Sequence, residues 1–130
     1  MVSEKAYRYI EEFNLKNNTN YNPFNLCFDR DRNRFGKIKD NESNKDKNTI
    51  MWEHVIPISN TINEIEQENK YNNIEEVLKY LKEYPGTCLI TRDEDDLLNK
   101  GYKTNRTKET WKYIYEEKVK IKIKTRFIFK

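Results

Sequence analysis

Hydrophobic side chains recur at helical spacing near the start of the chain: Ala6, Tyr9, Ile10 and Phe13 fall on one face of a helix over residues 3–13, with Ser3 placed to cap it. Residues 14–22 are rich in Asn and turn-like, and residues 24–28 form a short apolar patch before the charged run Asp29-Arg30-Asp31-Arg32-Asn33-Arg34. Residues 40–48 are polar throughout, the pattern of a mobile loop. Thr49, Ile50, Met51 and Trp52 read as a strand that continues at Val55 and Ile56. Pro57 cannot donate to a ladder, so this strand lies at an edge or ends there. Residues 59–68 and 73–84 read as two helices; in the second, Ile74, Val77, Leu78 and Leu81 make the apolar face and Pro85-Gly86 stops it.

A short buried strand follows over residues 87–90. Thr91 with Glu94 three positions later is a capping-box pattern, which starts a helix running to about Lys100, with Gly101 as the residue that ends it. A further helix is expected over residues 108–117, with Trp111, Ile114 and Tyr115 inward. Val119, Ile121, Ile123, Thr125 and Phe127 alternate with cations, as a half-buried strand over residues 119–129 requires. The elements add up to an α+β fold: a small sheet from residues 49–56, 87–90 and 119–129 with helices packed on it, in a single domain over residues 1–130.

Composition sharpens this picture in one respect. Hydrophobic residues make up only 35% and charged residues 36%, yet 13% are aromatic, so the core must draw on Tyr, Phe and Trp for buried area. Cys27 and Cys88 lie in separate apolar contexts without CxxC spacing, so buried thiols are expected and not a zinc knuckle. The first residues lack the apolar stretch of a signal peptide, and no apolar run approaches the roughly 20 residues a bilayer span needs. A soluble, cytoplasmic protein without membrane contact is expected.

The net charge of +3 conceals an asymmetry. Lys118, Lys120, Lys122, Lys124 and Arg126 alternate along the last stretch and Lys130 follows, with no acid among them. Such a tract points to an anionic partner, nucleic acid first, or else to a solvated edge strand that uses Lys against aggregation. The segment Tyr102-Lys103-Thr104-Asn105-Arg106-Thr107-Lys108 is a second basic stretch, in which Lys103 and Arg106 are suited to phosphate contacts. Arg30, Arg32 and Arg34 alternate with acids and read as a self-paired loop.

The remaining chemistry centres on Trp52-Glu53-His54-Val55-Ile56-Pro57-Ile58-Ser59, which holds the single histidine beside a carboxylate, and on Leu89-Ile90-Thr91-Arg92-Asp93-Glu94-Asp95-Asp96 with Leu97-Leu98-Asn99-Lys100 after it. Together these two segments resemble the HNH, or ββα-metal, nucleases. The resemblance implies a ββα-metal-like core with a helical insertion and Mg²⁺- or Mn²⁺-dependent hydrolysis of DNA. It implies His54 as general base, Glu53 as metal ligand, Asp95 or Asp96 in place of the Asn or His on the family's helix, and Lys100 near the phosphate. The chemistry suits these residue types, since imidazole titrates near neutral pH and Mg²⁺ takes a few carboxylate oxygens and keeps its waters. The acid at the helix position and the long interval from His54 to Asp96 depart from the family pattern. Acids in the first turns of a helix also have a simpler role, complementing the macrodipole. The alternative to a nuclease is a non-catalytic, phage-type protein that binds nucleic acid or a host enzyme, or a module that engages a protein partner through the acidic helices of residues 59–84.

Overall fold

The computed structural model describes residues 1–39, 45–67 and 74–125. Its main sheet has four strands in the order β4-β5-β1-β6: β1 is Val2–Ser3, β4 Ile50–His54, β5 Thr87–Thr91 and β6 Ile123–Lys124. β4 pairs antiparallel with β5, β5 parallel with β1, and β1 antiparallel with β6. A second, two-stranded antiparallel sheet joins β2 (Lys37–Lys39) and β3 (Asp46–Asn48). The helices are α1 (Glu4–Asn17), α2 (Phe28–Asp31), α3 (Ile58–Gln67), α4 (Ile74–Lys82), α5 (Arg92–Asn99) and α6 (Trp111–Tyr113), the last continuing as a π-helical turn over Ile114–Lys118. The α+β class is as expected, and so is the order β4, two inserted helices, β5, α5.

Strand periodicity divides the interior in two. On one face of the sheet, Val55, Cys88 and Ile90 pack with Leu98 of α5 and with Ile114, Tyr115, Val119 and Ile121. On the other, Val2, Ile50 and Leu89 pack with Ala6 and Ile10 of α1 and with Phe35, inside a shell of Tyr7, Phe13, Tyr21 and Phe24. Aromatic rings therefore fill volume that a Leu-rich chain would fill with aliphatics.

The two buried helix starts are tied to each other. Ser3 caps α1 by accepting from the Ala6 N–H at 3.1 Å, and its hydroxyl donates to Glu94 Oε1 at 2.5 Å. Glu94 is also the return half of the α5 capping box, accepting from the Thr91 N–H at 3.0 Å. One buried carboxylate thus satisfies groups at the heads of both helices.

Several expectations are corrected. Val2–Ser3 is a strand inside the sheet, because β5 and β6 pair with it from either side. Residues 37–39 and 46–48 form a hairpin where a loop was expected over residues 40–48; residues 40–44 lie outside the described part. Gly36 starts the hairpin at φ 86°, a conformation that glycine adopts without the penalty of a Cβ. The strand expected over residues 119–129 is a ladder only at Ile123–Lys124, and residues 126–130 lie outside the described part. Lys120 breaks the extension with φ 61°, and the Ile121 N–H bonds back to Tyr115 O at 2.7 Å. Gly101 follows the end of α5 without a positive φ, the cap being the right-handed Lys100. Cys27 is exposed, whereas the Cys88 thiol is buried and pushed up to about 12, chiefly by desolvation. Among the described residues no helix is long and apolar enough to cross a membrane.

Candidate functional site

Glu53 and His54 are neighbours in β4, so their side chains leave the sheet on opposite faces. Met51 and Val55 share the α5 face with Glu53, and Ile50 and Trp52 share the α1 face with His54. Glu53 accordingly meets α5, where its carboxyl group lies within hydrogen-bonding reach of that of Asp95. His54 is exposed at the strand end, opposite Thr87. The arrangement implied by the nuclease resemblance, with His54 and the helix acids in one metal site, is not formed; only Glu53 and Asp95 come together. Asp96 takes the next direction around α5 and is half-buried, and Lys100 is exposed at the helix end.

Two guanidinium groups balance the carboxyl pair. Arg106, 1% exposed, donates to Glu53 Oε1 at 3.2 Å and to the carbonyls of Tyr102 at 2.9 Å and His54 at 3.4 Å. Arg92 reaches Asp95 Oδ2 at 3.4 Å, and Asn99 donates to the same oxygen at 3.2 Å. Arg106, expected at a phosphate, is thus a buried structural cation that pins the loop after α5 to β4. Burial is the main influence on Asp95 and raises its carboxyl to about 6; Glu53 pushes the same way, and Arg92 and Arg106 oppose. Among the described residues no group of three His, Cys, Asp or Glu side chains could hold a metal ion. With both carboxylates already facing arginines, this cluster does not fit a divalent cation.

The other candidate cations divide by location. Lys103 is exposed in the loop after α5, and Lys118 lies over the Tyr113 ring with its ammonium 5.6 Å from the centroid. Lys120 and Lys122, on the segment that leads into β6, line one cleft with Lys5 and Arg8 at the start of α1. Of the two acids in that cleft, Glu94 is buried and hydrogen-bonded, and Glu4 is paired with Arg8 at 2.5 Å. Lys124 continues the same row and covers the Tyr7 ring at 4.3 Å. Lys5 and Arg8 carried no signal in isolation; they join the lysines of the tail in one cleft only because β6 pairs with β1 and lies alongside α1.

Near α2, Arg30 and Arg34 pair with the buried carboxylate of Asp31. Burial, the largest influence on Asp31, would raise its carboxyl, but the Cys27 N–H together with Arg30 and Arg34 holds it below the usual range. Arg32 instead lies over Phe28 and lines a second cation-rich cleft with Lys37, Lys47 and Arg92. Compared with protein-family models, curated proteins and solved structures, the chain matches none.

Proposed function

We propose that this chain binds nucleic acid through the face formed by α1 and the C-terminal lysine row. Lys5 from α1 and Lys120 and Lys122 from the far end of the chain line one cleft; of the acids among its lining residues, Glu94 is buried and hydrogen-bonded and Glu4 is paired with Arg8. That juxtaposition is the best support for the reading. Cations converging from separate segments create a local positive field that the small net charge does not reveal. Toward β6 the backbone is extended, and Lys122 and Lys124, two apart, are spaced by roughly 6–7 Å, a repeat that lets each ammonium meet a successive phosphate. Lys120 is the left-handed residue that ends the turn over Ile114–Lys118, with the Ile121 N–H bonded back to Tyr115 O at 2.7 Å, and this termination sets where its side chain leaves the backbone.

Binding without hydrolysis is the form the geometry favours, because His54 and Glu53 leave β4 on opposite faces and only Glu53 meets Asp95 of α5. The test is anisotropy of labelled oligonucleotides between about 50 and 200 mM salt. Each lost phosphate contact lowers the slope of log K against log salt by about 0.7 for a single strand and about 0.9 for a duplex. The combined variant Lys5→Gln, Lys120→Asn, Lys122→Gln is expected to lower it by about 2 for a single strand and about 2.7 for a duplex. No binding at low salt, or an unchanged slope, overturns the proposal. Mg²⁺-dependent strand scission that disappears in His54→Ala would replace it with the hydrolase reading.

A further inference from the structure

α4 is amphipathic, yet the packing of the domain uses only part of its apolar arc. Tyr80 is its buried side chain, and the Tyr80 hydroxyl donates to Glu64 Oε2 of α3 at 2.6 Å. Val77, three positions before Tyr80, is half-buried on the same side. Ile74, Leu78 and Leu81 follow the i, i+4, i+7 spacing of a stripe next to it, and they are 73%, 50% and 46% exposed. The same contrast recurs in α3, where Ile58 and Ile62 are exposed although Thr61 beside them is buried. One exposed Leu is ordinary, but three large apolar side chains in a row along a helix mark a contact surface. Charges border the row: Glu75 in the first turn and Lys82 in the last are exposed, and neither has a side-chain partner among the described residues. Seven positions apart, they stand nearly in line on one flank of the stripe, the flank away from Tyr80.

We propose that this stripe is the contact face of a homodimer, in which α4 packs antiparallel against α4 of a second copy of the chain. The two-fold axis passes near Leu78, so that Leu78 meets its own counterpart and Ile74 meets the partner's Leu81. The flanking charges then complement themselves, because Glu75 faces the partner's Lys82, twice by symmetry. A parallel arrangement would set Glu75 against Glu75 and Lys82 against Lys82, and like charges so placed repel. A surface whose acid and base exchange places under a two-fold rotation is matched by a second copy of itself. Its size sets the strength. A helix of nine residues is roughly 14 Å long, so the pair buries less than the roughly 800 Å² per partner of a standard interface. The dimer is accordingly weak and forms at micromolar concentration or above. None of the lysine-cleft residues takes part, so this inference and the nucleic-acid reading stand or fall separately.

The experiment is sedimentation equilibrium of the full chain from micromolar to submillimolar concentration, without nucleic acid, for wild type, Leu78→Gln, Glu75→Lys and Lys82→Glu. Wild type is expected to pass from monomer to dimer across this range. Leu78→Gln removes apolar area at the axis from both copies and is expected to weaken association about tenfold or more. Each single reversal brings like charges together at both symmetric pairs and is expected to weaken association by about three- to tenfold. An equimolar mixture of Glu75→Lys with Lys82→Glu restores opposite charges at both pairs and is expected to associate at least as well as wild type. The two reversals keep the test valid if Leu78→Gln fails to fold by circular dichroism, since both positions are exposed. A wild type that stays monomeric throughout, a dimer unaffected by Leu78→Gln, or a mixture that associates no better than either reversal alone overturns the proposal. Binding of monomeric wild type to vesicles of phosphatidylcholine and phosphatidylglycerol, lost in Leu78→Gln, would give the face to a lipid surface instead.

Discussion

Replacing Asp95 by Asn is expected to stabilise the protein at neutral pH, although it removes a buried ion-pair partner. Asp95 is 4% exposed, and its carboxyl is raised from 3.8 to about 6 by desolvation first and by Glu53 second. The folded state therefore takes up the proton from about pH 6 downward, while the unfolded chain waits until about pH 4. Between those values the folded state holds more protons, so stability falls as pH rises through the window and the full penalty is present above it. A shift of about 2 units at about 1.4 kcal/mol each makes this penalty roughly 3 kcal/mol. The favourable interaction of Asp95 with the start of α5 is smaller, about 0.3–1 kcal/mol, so desolvation wins. The introduced amide mimics the protonated form: its oxygen can accept from Asn99 and Arg92, and its NH₂ can donate to Glu53. The variant should gain roughly 2 kcal/mol at about pH 7.5 and nothing at about pH 4.5. Urea unfolding followed by tryptophan fluorescence across this range gives the difference directly. A variant less stable than wild type by the same amount at every pH would refute the reasoning, since it would mean that Asp95 is held as a well-paired carboxylate.

The other side of the same cluster gives the opposite sign: Arg106→Met leaves Glu53 and Asp95 facing each other without the central cation and should cost about 3–5 kcal/mol in the same unfolding assay, with a loss under about 1 kcal/mol arguing against a structural role. Lys120→Gly relieves the left-handed backbone and should raise stability by up to about 1 kcal/mol while weakening oligonucleotide binding. A thermal melt and an anisotropy titration on the same sample check both, and a fall in stability would show that Lys120 contributes contacts beyond its charge.

Where the pattern in the chain is local, it reads through to the structure. α1 follows from apolar spacing and α5 from the Thr91–Glu94 capping box, which forms as its residue types demand; α4 is a helix as expected, but Ile74, Leu78 and Leu81 of its expected apolar face are exposed and Tyr80 is its buried side chain. Alternation at the C-terminal end assigns sides correctly, since Val119 and Ile121 are buried and Lys120, Lys122 and Lys124 are exposed, even though the backbone there is a strand for only two residues. β1 is illegible because a two-residue strand has no period, and only pairing with β5 and β6 makes it one. The β2–β3 hairpin is illegible because its sides are largely wet, so no alternation marks it. Arg106 reads as a loop cation because its partners, the His54 carbonyl and Glu53, lie 52 and 53 residues away in the chain.

The separation of Glu53 from His54 is different in kind, because it was available from the strand assignment itself. Once residues 50–54 are extended, period two forbids adjacent side chains from sharing a face. A family resemblance carried by neighbouring residues must therefore pass a test of direction before it becomes a constellation. The same rule, applied forward, unites what sequence distance separates. Lys120, Lys122 and Lys124 leave the tail on one side, and pairing of β6 with β1 lays that side along α1. The Asn-rich turn after α1 then stands beside the row and not at a remote corner, and residues that read as mere turn formers become the wall of a groove.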